Sequence, residues 1–157
     1  MTTLARKFSE EIIDCFNLGN KILVIGNGGS AAEAQHFVAE LVGHFEKPRK
    51  ALPAIALTTD TSILTAVGND DGYEYVFSRQ VEALGKKNDL LVILTTSGSS
   101  KNCLVAEMSA RKMGLKVRYF PLKDDKSTAE CQEEHLKLIH DICRMLDEYY
   151  FDPYPQL

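Results

Sequence analysis

Three short apolar runs, "KILVIG", "PAIALTT" and "DLLVILTT", each end in small polar residues and each lead into a helical pattern. No other feature of the chain narrows its fold as far. The runs are rich in β-branched residues and do not alternate with polar ones, the pattern of strands covered on both faces. Strands of that kind, separated by helices, pair in parallel, because the crossover joining parallel neighbours is normally a helix. The expected fold is α/β: a three-layer α/β/α sandwich with a central parallel sheet, Rossmann-like or flavodoxin-like, with "LKVRYF" as a fourth strand.

Leu4, Phe8, Ile12 and Phe16 recur every four residues, which predicts an amphipathic opening helix closed at Gly19. A second helix is expected over 30–45, with Ser30 near its N-cap. A short helix follows over 61–67, and Tyr73, Val76, Phe77, Val81 and Leu84 form a helical stripe in "YEYVFSRQVEALG". "SSKNCLVAEMSARKMG" reads as a helix ending at Gly114, and Ser127 to about Tyr149 as a long closing helix. No repeat or low-complexity segment interrupts this order, so residues 1–157 read as one domain. The tail "YYFDPYPQL" is either frayed or packed on a neighbouring subunit.

A chain of 157 residues can bury a sizeable core without disulfide or metal staples. Its net charge of -4 and pI near 5.6 provide no basic block to neutralise nucleic-acid phosphates. No apolar run approaches the roughly 20 residues of a membrane span, and "MTTLARKFSEEII" lacks the apolar core of a signal peptide. Cys15, Cys103, Cys131 and Cys143 lie in helical apolar patterns with no CxxC spacing, so buried free thiols are expected. A cytoplasmic location follows by default, with no nucleic acid and no membrane expected as partners.

In open parallel sheets, ligands bind beyond the carboxyl ends of the strands. There the chain places "GNGGS", "TTDTS" and "TTSGSS". Serine, threonine and glycine at a helix start offer hydroxyls, close backbone approach and free N–H groups at the positive end of the helix dipole, an arrangement that holds phosphate. The same residues also cap helices and form turns with no ligand present, and two such loops at adjacent strand ends favour the functional reading. A nicotinamide cofactor is disfavoured: Ala31, a tolerated variant, stands where the dinucleotide fingerprint has its third glycine, but "PAIALTT" ends in threonines without an acidic residue.

The helix that opens at the glycine turn carries His36 and Glu40, one turn and about 6 Å of rise apart on one face. Imidazole and carboxylate at that spacing suit zinc or a related divalent ion, although such a pair is more often an ordinary surface contact. The closing helix offers Gln132, His135 and His140 as further ligands. His135 and His140 are five residues apart, about 140° around the helix, so they do not easily share one metal. Spacing does not choose between them, and His140, set between Ile139 and Ile142, also reads as a core-facing histidine.

Taken together, "GNGGSAAEAQHFVAEL", "PAIALTTDTSILTAVGNDDGYEYVFSRQVEALG", "LTTSGSSKN" and "QEEHLKLIH" resemble the sugar-isomerase (SIS) domain family, and within it the phosphoheptose isomerases. The resemblance implies an aldose–ketose isomerisation, sedoheptulose 7-phosphate to D-glycero-D-manno-heptose 7-phosphate, for bacterial surface heptose in lipopolysaccharide or capsule. It implies one Zn2+ per subunit, held by His36, Glu40, Gln132 and His140. It carries substrate contacts to Asn27, Gly28, Gly29 and Ser30, to Asn69 and Asp70, to Thr95, Thr96, Ser97 and Ser100, and to Gln132. Glu40 is the candidate catalytic base and His140 the acid. Gln132 and His140 lie about 12 Å apart along an ideal helix, so both reach one metal only by leaning towards each other. The family assembles through its helices, and a homotetramer is expected.

Two departures from the family pattern stand out. The opening helix is short, and about twenty residues that the resemblance implies after "GLKV" are absent. Either the chain has lost them or they are missing from the sequence. The second is favoured because losing an interior strand would disturb the sheet, and "LKVRYF" would then join two strand fragments near Val117 and Arg118. Two rival functions stand beside the isomerase. A zinc-free SIS module with a regulatory or protein-binding role would be expected to lose the His36–Glu40 pair. An isomerase of another sugar phosphate would share the same motifs.

Overall fold

A computed structural model describes residues 2–121 and 126–153. Helix α1 (Thr3–Asn17) leads to β1 (Ile22–Ile25), α2 (Gly29–Val42), β2 (Ala54–Ala56) and α3 (Thr61–Asp70). Then come α4 (Ser78–Leu84), β3 (Leu90–Ile93), α5 (Lys101–Lys112), β4 (Lys116–Tyr119) and α6 (Thr128–Tyr150). The strands form one parallel sheet in the order β2-β1-β3-β4. The expected α/β sandwich is the observed fold.

Alternate residues of the central strands feed two cores, because successive strand side chains point to opposite faces. Ile22, Val24, Leu90 and Val92 pack with Phe8, Ile12, Phe37, Leu41, Ile139 and Ile142, so α1, α2 and α6 cover one face. Leu23, Ile25, Leu91 and Ile93 pack with Val76, Phe77, Val81, Cys103, Ala106 and Ala110, so α4 and α5 cover the other. Burial on both faces explains why β1 and β3 read as continuous apolar runs. The four cysteines are buried free thiols, as expected.

The stripe from Tyr73 to Leu84 is not one helix. A 3₁₀ turn over Tyr73–Tyr75 precedes α4, and only Val76, Phe77 and Val81 of the stripe are buried. The Gln80 amide makes the break tolerable, donating to the carbonyls of Val76 and Leu57 at 2.8 and 2.9 Å. The end of the tail, 154–157, lies outside the described residues, as does 122–125.

Strand β4 runs unbroken through Val117 and Arg118, in register with Leu90–Ile93. It is an edge strand with Lys116 and Arg118 exposed. Residues absent beyond this point would trim the sheet at its rim and leave its interior pairing intact, so disturbance of the sheet is no argument against their loss.

Candidate functional site

The turn after β1 is built around two glycines with different tasks. Gly28 has φ 55°, a left-handed conformation that costs other residues energy. Gly29 is needed for space: a Cβ there would lie 2.3 Å from Nε2 of Gln132 and 2.8 Å from its Cδ. The Gln132 side chain of α6 thus rests against the backbone of the turn. After β3, Gly98 (φ 66°) bends a second loop, in which Thr95 and Ser97 accept from the N–H groups of Gly98 and Ser99, both at 3.2 Å.

These two loops and α6 enclose a cavity of about 260 Å³. Asn27, Gly28, Gly29, Ser30, Thr95, Thr96, Ser97, Ser100 and Gln132, all expected from the sequence as substrate contacts, line it. Among the described residues, no lysine or arginine does. Two helices start at its rim, α2 at Gly28 and α5 at Ser100, and neither N-cap makes a side-chain hydrogen bond. By contrast, Thr2, Asp60 and Ser127 cap α1, α3 and α6 with their own side chains. Uncapped amides and hydroxyls that can still donate, at two converging helix starts, suit an anion bound without a cationic side chain.

Three residues of this region were not singled out from the sequence. Asn102, 3% exposed, exchanges two amide hydrogen bonds with Asn27 at 2.8 and 2.9 Å, and Tyr73 Oη donates to Asn27 Oδ1 at 3.2 Å. Together they fix the amide at the mouth of the glycine turn. Thr128 lines the cavity beside Gln132. A polar residue at the start of α5 beside the buried stripe of Cys103, Ala106 and Ala110 was the one available signal for Asn102. Asn69 and Asp70 stand apart from the cavity, on the exposed end of α3, where Asn69 donates to Asp70 at 2.7 Å.

The two helices behind the cavity bring a second set of groups together. His36 of α2 and His140 of α6 present their Nε2 atoms to each other at 3.0 Å. His140 is half-buried and stacked on Phe45, with ring centroids 5.0 Å apart. Burial, then the neighbouring His36 and Arg144, hold its imidazole below the ordinary histidine range. The core-facing histidine is His135, not His140: it is 1% exposed and points away towards Glu33. Glu40 Oε1 lies 3.5 Å from His36 Nδ1, the ring edge opposite the one that meets His140.

Two converging imidazole nitrogens, one of them disfavouring a proton, fit a divalent metal that takes nitrogen donors. Among the described residues, however, no three His, Cys, Asp or Glu side chains converge on one point. Glu40 is on the far side of His36, and Gln132 is seated in the cavity two turns up α6 from His140.

The SIS domain family matches residues 4–118. A phosphoheptose isomerase of Campylobacter concisus is 49% identical over 154 residues, covering 88% of this chain and 82% of the relative. The chain belongs to the phosphoheptose isomerase branch of the SIS-domain family. A probable phosphoheptose isomerase of Thermoplasma volcanium is 45% identical, covering 92% and 81% of the two chains. The solved phosphoheptose isomerase of Francisella tularensis superposes with TM-score 0.86 at 36% identity, over 92% of this chain and 85% of that one. That of Neisseria gonorrhoeae gives 0.83 at 41%, with the same coverage. The Campylobacter match spans 154 positions yet takes in only 88% of these 157 residues, so the relative carries residues with no counterpart here.

Proposed function

We propose that this protein is a sugar-phosphate aldose–ketose isomerase that converts sedoheptulose 7-phosphate to D-glycero-D-manno-heptose 7-phosphate, a step towards the heptose of lipopolysaccharide or capsule. The observation that carries this reading is the cavity in which two uncapped helix starts, the hydroxyls of Thr95 to Ser100 and the Gln132 amide converge. A phosphate dianion suits the "TTSGSS" side, and sugar hydroxyls suit the glycine turn with its fixed Asn27 amide. The reacting end of the sugar then lies towards His36, Glu40 and His140, further along α2 and α6. Eight residues separate Gln132 from His140, about 12 Å of helix, a span that matches an extended seven-carbon chain better than a triose.

Moving the carbonyl from C2 to C1 requires a proton to leave C1 and return to C2, and a hydroxyl proton to pass from O1 to O2. Glu40 is the base that carries the carbon-bound proton. Its place beside His36 Nδ1, away from His140, supports that role over one of permanent metal ligand. His140, held neutral by burial, takes the O1 proton and delivers it to O2. The resemblance implies one zinc ion per subunit held by His36, Glu40, Gln132 and His140; of these, His36 and His140 face each other here, and a metal held there would polarise the carbonyl and offset charge developing on the oxygens. We further propose a cytoplasmic homotetramer. Leu18, Tyr73 and Met108, each at least 60% exposed, support assembly beyond the single chain.

The deciding experiment is an isomerisation assay of the zinc-loaded protein against a panel of ketose phosphates of three to seven carbons. Sedoheptulose 7-phosphate should give the highest kcat/KM. A different preferred ketose would replace the substrate assigned, and turnover of none would overturn the isomerase reading in favour of a binding module.

A further inference from the structure

Glu33 and His135 take no part in the chemistry above, yet they are buried against each other between its two halves. Glu33 lies on α2 between Gly29 and His36, and His135 on α6 between Gln132 and His140. Their side chains are 11% and 1% exposed. His135 Nε2 is 2.9 Å from the carbonyl oxygen of Pro121. A carbonyl only accepts, so Nε2 carries a hydrogen. The other ring nitrogen, Nδ1, faces Glu33 Oε2 at 3.7 Å, and both atoms are buried without a hydrogen-bond partner among the described residues.

With a neutral ring, Nδ1 would set a lone pair against a carboxylate in a site closed to water. Two orphaned buried acceptors facing each other are costly. One proton on Nδ1 removes both defects, turning the contact into cation against anion. The surroundings agree. Glu134 adds negative charge from the same helix, Lys137 and Asp141 beside it carry opposite charges, and α1 and its N-cap contribute only uncharged Leu4 and Thr2. The edge of the Phe120 ring packs at 5.5 Å. Burial pushes the imidazole's proton affinity down, but Glu33 and the Pro121 carbonyl outweigh it and hold it above the ordinary histidine value.

We propose that Glu33 and His135 form a buried carboxylate–imidazolium pair that fastens α2 to α6 and so holds His36 opposite His140. Both are positioning residues. The pair sits one turn from the Gly29–Gln132 contact on one side and about one turn from the histidine pair on the other, so it sets how the helices meet at both. Removing one partner of a buried pair leaves the other charge uncompensated, which makes the contact intolerant of loss.

Its consequence for turnover rests on the isomerase reading, whereas its protonation does not, and the test keeps the two apart. Nitrogen-15 spectroscopy of the histidine rings in the full chain reports which nitrogens carry hydrogen. His135 should carry two hydrogens at neutral pH. In Glu33→Gln, whose amide fits the site but replaces the ion pair with at most one neutral hydrogen bond and so loosens the fastening of α2 to α6, His135 should keep only the Nε2 hydrogen. That variant should lose about tenfold in kcat with KM changed less than about twofold, because the "TTSGSS" loop is untouched. A bare Nδ1 in the unaltered protein at neutral pH would overturn the pair. An unchanged kcat in Glu33→Gln would overturn its positioning role. A wild-type protein inactive on all sugar phosphates would refute the isomerase reading and leave the spectroscopic result standing.

Discussion

The loop between α2 and β2 is tied down by one arginine, and the energetic weight of that tie can be worked from its bonds. Arg49 is buried, with a side-chain exposure of 0%, against Asp147 of α6 at 1%. Its Nε donates to Asp147 Oδ1 at 2.8 Å, and its two terminal nitrogens donate to the carbonyls of Glu40, Leu41, Gly43 and Lys50 at 2.5 to 3.0 Å. Two of these carbonyls, of Glu40 and Leu41, belong to the end of α2 and a third, of Gly43, to its C-cap, where no helical N–H can reach and no basic residue stands in the last turn. The second carboxylate oxygen of Asp147 accepts from the N–H groups of Glu46 and Lys47 at 2.6 and 3.0 Å. Arg49→Met keeps most of the stem but leaves a buried carboxylate and uncapped carbonyls, so it should cost about 3–5 kcal/mol, the range for breaking a buried pair. For a domain of this size that is a fall in Tm of roughly 6–20 °C. Urea unfolding at fixed protein concentration measures it. Lys47→Met serves as the control: it removes an exposed ion pair with Glu148 and should change stability by less than about 1 kcal/mol. A loss below about 1 kcal/mol in Arg49→Met would refute the buried-clamp argument. Because Glu40's own carbonyl is among the acceptors, turnover should fall with stability.

Three further outcomes are expected. Gly29→Ala should drive the Gln132 amide out of its seat at 2.3 Å, and since that amide ends a flexible side chain, isomerase activity should drop several-fold while stability changes by only about 1 kcal/mol. Ser97→Ala should raise KM strongly with kcat nearly unchanged, since the phosphate does not change charge during the reaction; steady-state kinetics showing a fall in kcat alone would count against the phosphate assignment. His36→Ala should abolish stoichiometric zinc, read by elemental analysis, together with isomerisation, while titration calorimetry still detects sugar-phosphate binding at the "TTSGSS" loop.

Local pattern revealed much of this molecule. The β-branched runs at Ile22–Ile25 and Leu90–Ile93 were legible because burial on both faces leaves no other composition possible. The glycine turn and the "TTSGSS" loop were legible because a parallel sheet places every βα turn on one edge, so small polar residues there had to converge. The break between Tyr73–Tyr75 and α4 was not legible, since the Gln80 amide that stabilises it bonds to Leu57, far away in sequence. The choice between His135 and His140 was closed to periodicity as well. Both lie on the side of α6 that meets α2, and which one meets His36 depends on the offset between two helices, a quantity no single segment encodes.

That offset organises the candidate site. Gly29 meets Gln132, Glu33 meets His135, and His36 meets His140. Beyond them, Arg49 joins the carbonyls of Glu40 and Leu41 to Asp147. Numbers rise together on the two helices, as they must when both follow strands of one parallel sheet and pack on the same side of it. Each rung has a different chemistry: a backbone held open by glycine, an ion pair, two facing imidazoles and a guanidinium cap. Sliding α6 by one residue along α2 would move every rung by about 1.5 Å and rotate it by about 100°, separating all four at once. The rungs at the two ends can be satisfied only in one register, and that register is the one that sets the cavity and the histidine pair on a common line. If the proposed roles of the cavity and the histidine pair hold, substrate contact and proton transfer are set by the same helix–helix seam, and the residues most able to disturb both are those of the seam that touch neither.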